Sequence, residues 1–380
     1  MFIDFKKAFD RVWHKALWAT MKKYNISGNI IMLIQELYDN ATSAVLYNGK
    51  IGDWFRTTVG VRQGCLLSPT LFNIFLERIM ADALEDHDGT VSIGGRPITN
   101  LRFADDIDAI AGSERELKDL VEKLDTASNS YGMEISAEKT KIMYNGNSAG
   151  ITGEIKVKDQ VLNTVDSFKY LGAIISDDGS KPEILSRIAQ ATSALARLRP
   201  IWENKKIRMK YKIRLLRSLV ISIFLYACES WTLNADLERR ISAMEMRCYR
   251  RLLGISYSEH ITNKEIMRVI TKEIGEHDSL LSIVKSRKLK WYGHVTRSSG
   301  LSKTILQGTV EGKRKTGRPR KRWSCNIQEW TGLSFAESQR TAENRQRWRS
   351  VVTTSMVVPQ QPRIGTRRSQ RIKSQSAVMG

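Results

Sequence analysis

Three aspartates carry the chemistry open to this sequence. Asp4 stands among Phe2, Ile3 and Phe5, while Asp105 and Asp106 sit together between Leu101/Phe103 and Ile107/Ile110. A carboxylate in an apolar strand is costly to bury unless a cation or hydrogen-bond donors meet it. A lone Asp, or a lone Asp-Asp pair, is ordinarily a turn or cap residue. One acid on a strand beside a hairpin whose tip presents two more can hold two divalent cations about 3.5–4 Å apart for phosphoryl transfer. Hard Mg²⁺ takes oxygen ligands and completes its shell with water and phosphate. Two Mg²⁺ ions, with Mn²⁺ able to substitute, are therefore the expected cofactors.

The elements that must position these acids are legible nearby. Residues 1–5 read as a short strand and residues 11–24 and 28–40 as helices. Alternation over 43–60 around Asn48-Gly49 predicts a hairpin. Ser68-Pro69 reads as an N-cap and first-turn proline, opening a helix with Leu71, Phe72, Phe75, Ile79 and Ala83 on one face. A second hairpin over 98–112 sets the paired acids at its tip, and Ser113 to Glu116 form a capping box for a helix stopping near Gly132. Strands are expected at about 140–144, 154–163 and 167–176. From about 181 the period is helical, over 184–198, 206–228, 236–253 and 263–291, which puts a domain boundary near 180.

Phe2-Ile3-Asp4-Phe5-Lys6-Lys7-Ala8-Phe9-Asp10, followed by Phe103-Ala104-Asp105-Asp106, resembles motifs A and C of the reverse transcriptases of non-LTR (LINE-type) retrotransposons. Between them Gly60-Val61-Arg62-Gln63-Gly64-Cys65-Leu66-Leu67-Ser68-Pro69 resembles motif B. Gly132 to Thr140 resembles motif D, and Phe168-Lys169-Tyr170-Leu171-Gly172 the primer-grip hairpin. The resemblance implies an α+β fold. A right-hand polymerase palm, an antiparallel sheet backed by helices, would span 1–180, and an all-helical thumb and connector 181–300. A basic nucleic-acid-binding region over 301–351 and a disordered basic tail over 352–380 would follow. The implied activity is RNA-directed DNA polymerisation, with an RNA template, a DNA primer and deoxynucleoside triphosphates as partners.

The same resemblance distributes roles. Asp4, Asp105 and Asp106 become the catalytic, metal-binding carboxylates, and Phe5 marks backbone facing the metals. Phe9 becomes the aromatic that excludes a ribose 2′-hydroxyl, though Phe is also an ordinary core residue. Gln63 and Gly64 lie against the nucleotide, Lys139 assists pyrophosphate departure, and Tyr170, Leu171 and Gly172 hold the primer end. Arg62 replaces a frequent Pro and Ser136 a frequent Asn; neither replaces a carboxylate. Motif A begins almost at Met1, so fingers and an upstream endonuclease are expected to be absent. Two further readings stay open: a nucleic-acid-binding remnant without turnover, and an intron-maturase-like protein, against which the lack of an HNH-type nuclease pattern counts.

Charge divides along the chain. Residues 1–200 hold 24 Lys and Arg against 26 Asp and Glu, whereas residues 201–380 hold 37 against 14. Metal chemistry in one half and a grip on a polyanion in the other is the expectation. Lys285 to His294 interleaves cations with aromatics, and Lys288 and Lys290 are its candidate phosphate contacts. Lys313, Arg314, Lys315, Arg318, Arg320, Lys321 and Arg322 form a second basic run around Gly317-Arg318-Pro319 that resembles an AT-hook and would serve in nuclear import. Arg208, Lys210, Lys212, Arg214 and Arg217 would track a duplex. Cys65, Cys228, Cys248 and Cys325 show neither zinc nor disulfide spacing, and His294 with Cys325 makes no metal site. No apolar run reaches the ~18 residues of a membrane span. An intracellular, nuclear protein with a cytoplasmic ribonucleoprotein stage is expected.

Overall fold

The computed structural model describes residues 1–144, 154–310 and 320–357. These gather into two compact units, one drawn from the described residues of 1–183 and 300–310, the other from 184–299 and 320–357. Among the described residues no helix is long and apolar enough to cross a membrane.

The first unit is α+β and is built on a five-stranded sheet. Its strands are β1 (Phe2–Ile3), β2 (Asn100–Phe103), β3 (Asp106–Ala109), β4 (Lys141–Ile142) and β5 (Asn163–Thr164), ordered β5-β4-β1-β3-β2. β1 is central and antiparallel to both neighbours, with Phe2 opposite Asp108 and Lys141, and Ile3 opposite Ile107. The expected all-antiparallel sheet needs one correction: β4 and β5 pair in parallel at the edge. A separate hairpin of β6 (Ser167–Tyr170) and β7 (Ala173–Ser176) turns at Leu171 (φ 48°) and Gly172 (φ 80°). Positive φ at both central residues matches the right-handed twist of the flanking strands. Asn48 (φ 48°) and Gly49 (φ 77°) make the same turn between Leu46–Tyr47 and Lys50–Ile51.

Helices back the sheet because their apolar faces find it. α1 (His14–Lys23), α2 (Gly28–Asp39), α3 (Ser68–Leu84) and α4 (Glu114–Ser130) surround one core. Phe72, Phe75 and Ile79 of α3 and Leu120, Val121 and Leu124 of α4 share it with Ile3, Phe5 and Ile107. Each such buried side chain contributes roughly 1.5–3 kcal/mol. Two caps differ from expectation. α3 takes Ser68 into its first turn, with Leu67 as an uncapped N-cap residue. Ser113 does cap α4, accepting from the Glu116 amide, but Glu116 reaches the amides of Thr90 and Gly112 rather than that of Ser113.

The second unit is all-helical in its described residues. Two expected long helices are broken. The 206–228 stretch becomes Met209–Leu216, a π-helical turn over Arg217–Ile221, and Ser222–Phe224. The 263–291 stretch stops at Ile274, where Gly275 adopts φ 79°, and restarts at Leu280 behind the Ser279 cap. Two boundaries also move. Residues 300–310 belong to the first unit, where Val310 bridges Ile93 and the Gly94 amide donates to the Thr309 carbonyl at 3.0 Å. The helix Arg345–Val357 runs past 352, because Trp348 and Val352 are buried and hold it in place. Residues 358–380 lie outside the described residues.

Candidate active site

The backbone around Asp4 is fixed from both sides. Its amide donates to Thr140 Oγ1 at 3.3 Å, and its carbonyl accepts from the Ser136 amide at 2.8 Å. The Lys6 amide donates to the Glu134 carbonyl at 2.8 Å. Ser136 thus acts through its main chain, so its departure from Asn costs the strand nothing. Asp4 Oδ1 is shut off from solvent and has no hydrogen-bond partner. The Lys139 ammonium stands 3.4 Å from it, close enough for charge attraction but misaligned for a hydrogen bond.

Asp105 and Asp106 come from the neighbouring hairpin. Phe103 opposes Asp106, so Ala104 and Asp105 form the two-residue turn and Asp106 opens β3. Ala104 holds φ 53°, a left-handed conformation that costs a residue with a Cβ about 1 kcal/mol. Such strain persists where the surroundings over-determine it, commonly at functional sites. Burial, then the charges of Asp105 and Asp4, push the Asp106 carboxyl above its ordinary range. The three acids therefore share one field.

Do they fit divalent ions? Among the described residues no three or more His, Cys, Asp or Glu side chains form a group that could hold a metal ion by themselves. The orphaned Asp4 Oδ1 and the mutual repulsion at Asp106 are nonetheless both relieved by a cation. Mg²⁺ draws few ligands from protein, so these donors fit an ion whose shell is completed by phosphate and water.

The glycine-rich loop at 60–67 packs against the segment after Asp4. The Gly60 amide donates to the Val12 carbonyl at 2.8 Å and the Val61 amide to the Phe9 carbonyl at 2.7 Å. His14 Nε2 lies 2.7 Å from the Gly60 carbonyl, a tie the sequence reading missed. Gln63 is exposed and donates to Asp10 Oδ1 at 3.4 Å, while Gly64 has φ 86° and open space around it. Phe9 stacks on Phe72 with ring centroids 4.7 Å apart, which anchors it to the core cluster while leaving it half-buried.

Phe5 is buried, so only its main chain can face the acids. Phe2 stacks on Phe168 at 4.3 Å and lies 5.5 Å from Tyr170, bringing the β6–β7 hairpin against β1. The Tyr170 hydroxyl donates to the Asp106 carbonyl at 3.4 Å. Glu134 is a second omission from the sequence reading. Lys6, Arg11 and Lys158 converge on it at 2.7, 2.9 and 3.1 Å. The Lys6 and Lys158 hydrogen bonds hold its carboxyl down at about 2. A lone Glu in motif D gives no sequence signal for partners so far apart in the chain.

The expected basic contacts divide sharply. Lys288 is fully buried, and its ammonium donates to the Trp231 carbonyl at 2.6 Å and to Asn326 Oδ1 at 3.0 Å. It also lies 4.3 Å from the Trp323 ring centroid. Its assignment to phosphate is therefore wrong: the aromatics around it form a cage inside the unit. Lys212 is likewise buried and donates to the Trp202 carbonyl at 2.5 Å. Lys290, Arg320 and Arg322 are exposed, whereas Lys321 is tied to the Leu233 carbonyl and Glu329. Lys313, Arg314, Lys315 and Arg318 lie outside the described residues.

Asp4, directly after β1, thus stands beside the hairpin that bears Asp105 and Asp106. Residues 1–175 match the model of the reverse transcriptase (RNA-dependent DNA polymerase) family. A transposon-derived protein of Caenorhabditis elegans is 28% identical over 68% of this chain and 97% of its own length. The Pol polyprotein of the R2 retrotransposable element of Popillia japonica is 22% identical over 67% of this chain. The RNA-directed DNA polymerase of the mobile element jockey of Drosophila melanogaster is also 22% identical over 67%. The chain spans only 42% and 28% of those two relatives. Among solved structures, the telomerase of Candida albicans aligns over 75% of this chain and 48% of its own. Its 17% identity and TM-score of 0.33 are too low to bear on function.

Proposed function

We propose that this chain is an RNA-directed DNA polymerase of a non-LTR retrotransposon, extending a primer 3′-hydroxyl on an RNA template with deoxynucleoside triphosphates. The observation that carries this is Asp4 directly after β1 and Asp106 opening the antiparallel neighbour β3, with the buried Asp4 Oδ1 lacking a hydrogen bond. Asp4, Asp105 and Asp106 would hold the divalent ions, Mg²⁺ or Mn²⁺. Bound there, such ions activate the primer hydroxyl and neutralise the triphosphate. Lys139, beside Asp4, is placed to meet phosphate charge. Gln63 and Gly64 leave the loop open toward a nucleotide, and Phe9 is held rigid by Phe72 as a wall against the ribose. Tyr170, Leu171 and Gly172 form the tight turn offered to the primer end. A nuclear site of action, served by the basic run at 312–322, belongs to the same proposal.

One observation favours a second reading, a nucleic-acid-binding remnant: the Lys139 ammonium already stands 3.4 Å from Asp4 Oδ1. Primer extension on RNA with Mg²⁺ separates the two, using the chain beside Asp105→Ala/Asp106→Ala. Extension by the chain, lost in the double variant while duplex binding is kept, supports the polymerase. Binding without extension by either protein gives first place to the remnant.

A further inference from the structure

The second unit carries an open depression of about 530 Å³ that shares no residue with the carboxylate site. One wall is a stripe of α5 (Lys181–Arg197) formed by Arg187, Gln190, Ser193 and Arg197. Spacings of three and four put these residues on one face of the helix. The other wall carries Ser222 and Tyr226, and the residues lining the depression include no carboxylate. Arg187 is only 6% exposed and lies 4.5 Å from the Tyr226 ring centroid. A guanidinium so placed is attracted to the ring face and steadies it. Tyr226 itself is 49% exposed. The backbone around that wall is unusual. A π-helical turn over Arg217–Ile221 precedes it, and Ala227, directly after Tyr226, adopts φ 55°. Both features are commonly found at functional positions.

We propose that this depression takes one unpaired nucleotide of a single-stranded nucleic acid. Its base stacks on Tyr226, its edge meets Gln190, Ser193 and Ser222, and its phosphate meets Arg197. Duplexes are gripped by open basic faces that follow two backbones. An open depression of this volume, with an aromatic, neutral hydrogen-bonding groups and a cation, instead suits a splayed-out base. The inference rests on the reading of the chain as a nucleic-acid enzyme only in its choice of ligand class.

The test uses the full chain and fluorescence anisotropy at one fixed salt concentration. Labelled single strands of roughly 12 nucleotides, in RNA and in DNA, are compared with a blunt duplex of the same sequence. Because stacking is worth about 1–3 kcal/mol per base, Tyr226→Ala should weaken single-strand binding about tenfold. Duplex binding should stay within about twofold, and Tyr226→Phe should bind as the parent does. Arg197→Gln, an exposed change, should give the same selective loss if the Tyr226→Ala protein misfolds. A loss confined to the RNA arm, to the DNA arm, or common to both supports the pocket and names its strand. Equal losses on single strand and duplex, or no loss in either variant, would overturn it. Primer extension is scored in parallel: an inactive chain that keeps the selective loss sinks the polymerase reading and not the pocket.

Discussion

Lys288 shows how far a single residue can mislead. Its setting between Arg287 and Trp291 is a composition equally suited to gripping phosphate and to filling an aromatic cage, and the cage is what forms. Burial, with repulsion from Lys321, pulls its ammonium down to about 6. The two acceptors and the Trp323 and Trp330 faces work the other way. Between about 6 and the ordinary lysine value, the unfolded chain therefore holds more of this proton than the folded one. Stability must then rise with pH across that window and fall as pH drops through it. The gain can reach at most about 1.4 kcal/mol per pH unit. Urea midpoints at pH 7 and 9 should show an upward trend for the parent that Lys288→Met lacks. Identical trends would show that Lys288 stays charged throughout.

The elements were legible where local chemistry decides them. Asn48-Gly49 announced its hairpin, and the periodicity of α3 and α4 their buried faces. The acids in apolar strands announced β1 and β3. What could not be read depends on partners distant in sequence: the three cations on Glu134, the parallel edge pair, and the break at Gly275 inside an unbroken helical period. The glycines of the 60–67 loop sharpen the point, since sequence treats them alike. A Cβ on Gly60 (φ 90°) would lie 3.0 Å from the Asp10 carbonyl oxygen, whereas one on Gly64 (φ 86°) meets nothing. Gly64→Ala should cost only the left-handed backbone, about 1 kcal/mol. Gly60→Ala should add displaced main chain and cost about 2–3 kcal/mol. Chemical denaturation of the two variants checks this, and equal losses would remove the Asp10 contact from the account.

For the whole molecule, the charge division is the feature with the widest reach. Near-neutral residues 1–200 carry the acids, and residues 201–380 carry the entire basic excess. Buried Lys288 and Lys212 subtract from the cations available to a polyanion, which shifts weight onto the run at 312–322. Each phosphate neutralised contributes about 0.9 to the slope of log affinity against log salt. Replacing Lys313, Arg314 and Lys315 together by Ala should therefore flatten that slope by roughly two to three. A slope that does not change would mean these three residues face water in the complex.

The path of the chain carries one more consequence. It leaves the first unit at 183 and returns at 300, where Val310 bridges Ile93. Contacts of such long sequence separation raise contact order and slow folding. During synthesis at about 5–20 residues per second, the returning segment emerges on the order of ten seconds after the rest of its unit. For that interval the hairpin of Ser92–Ile93 and Arg96–Pro97 waits without its Val310 partner, and a chain ended before 300 would never gain that bridge.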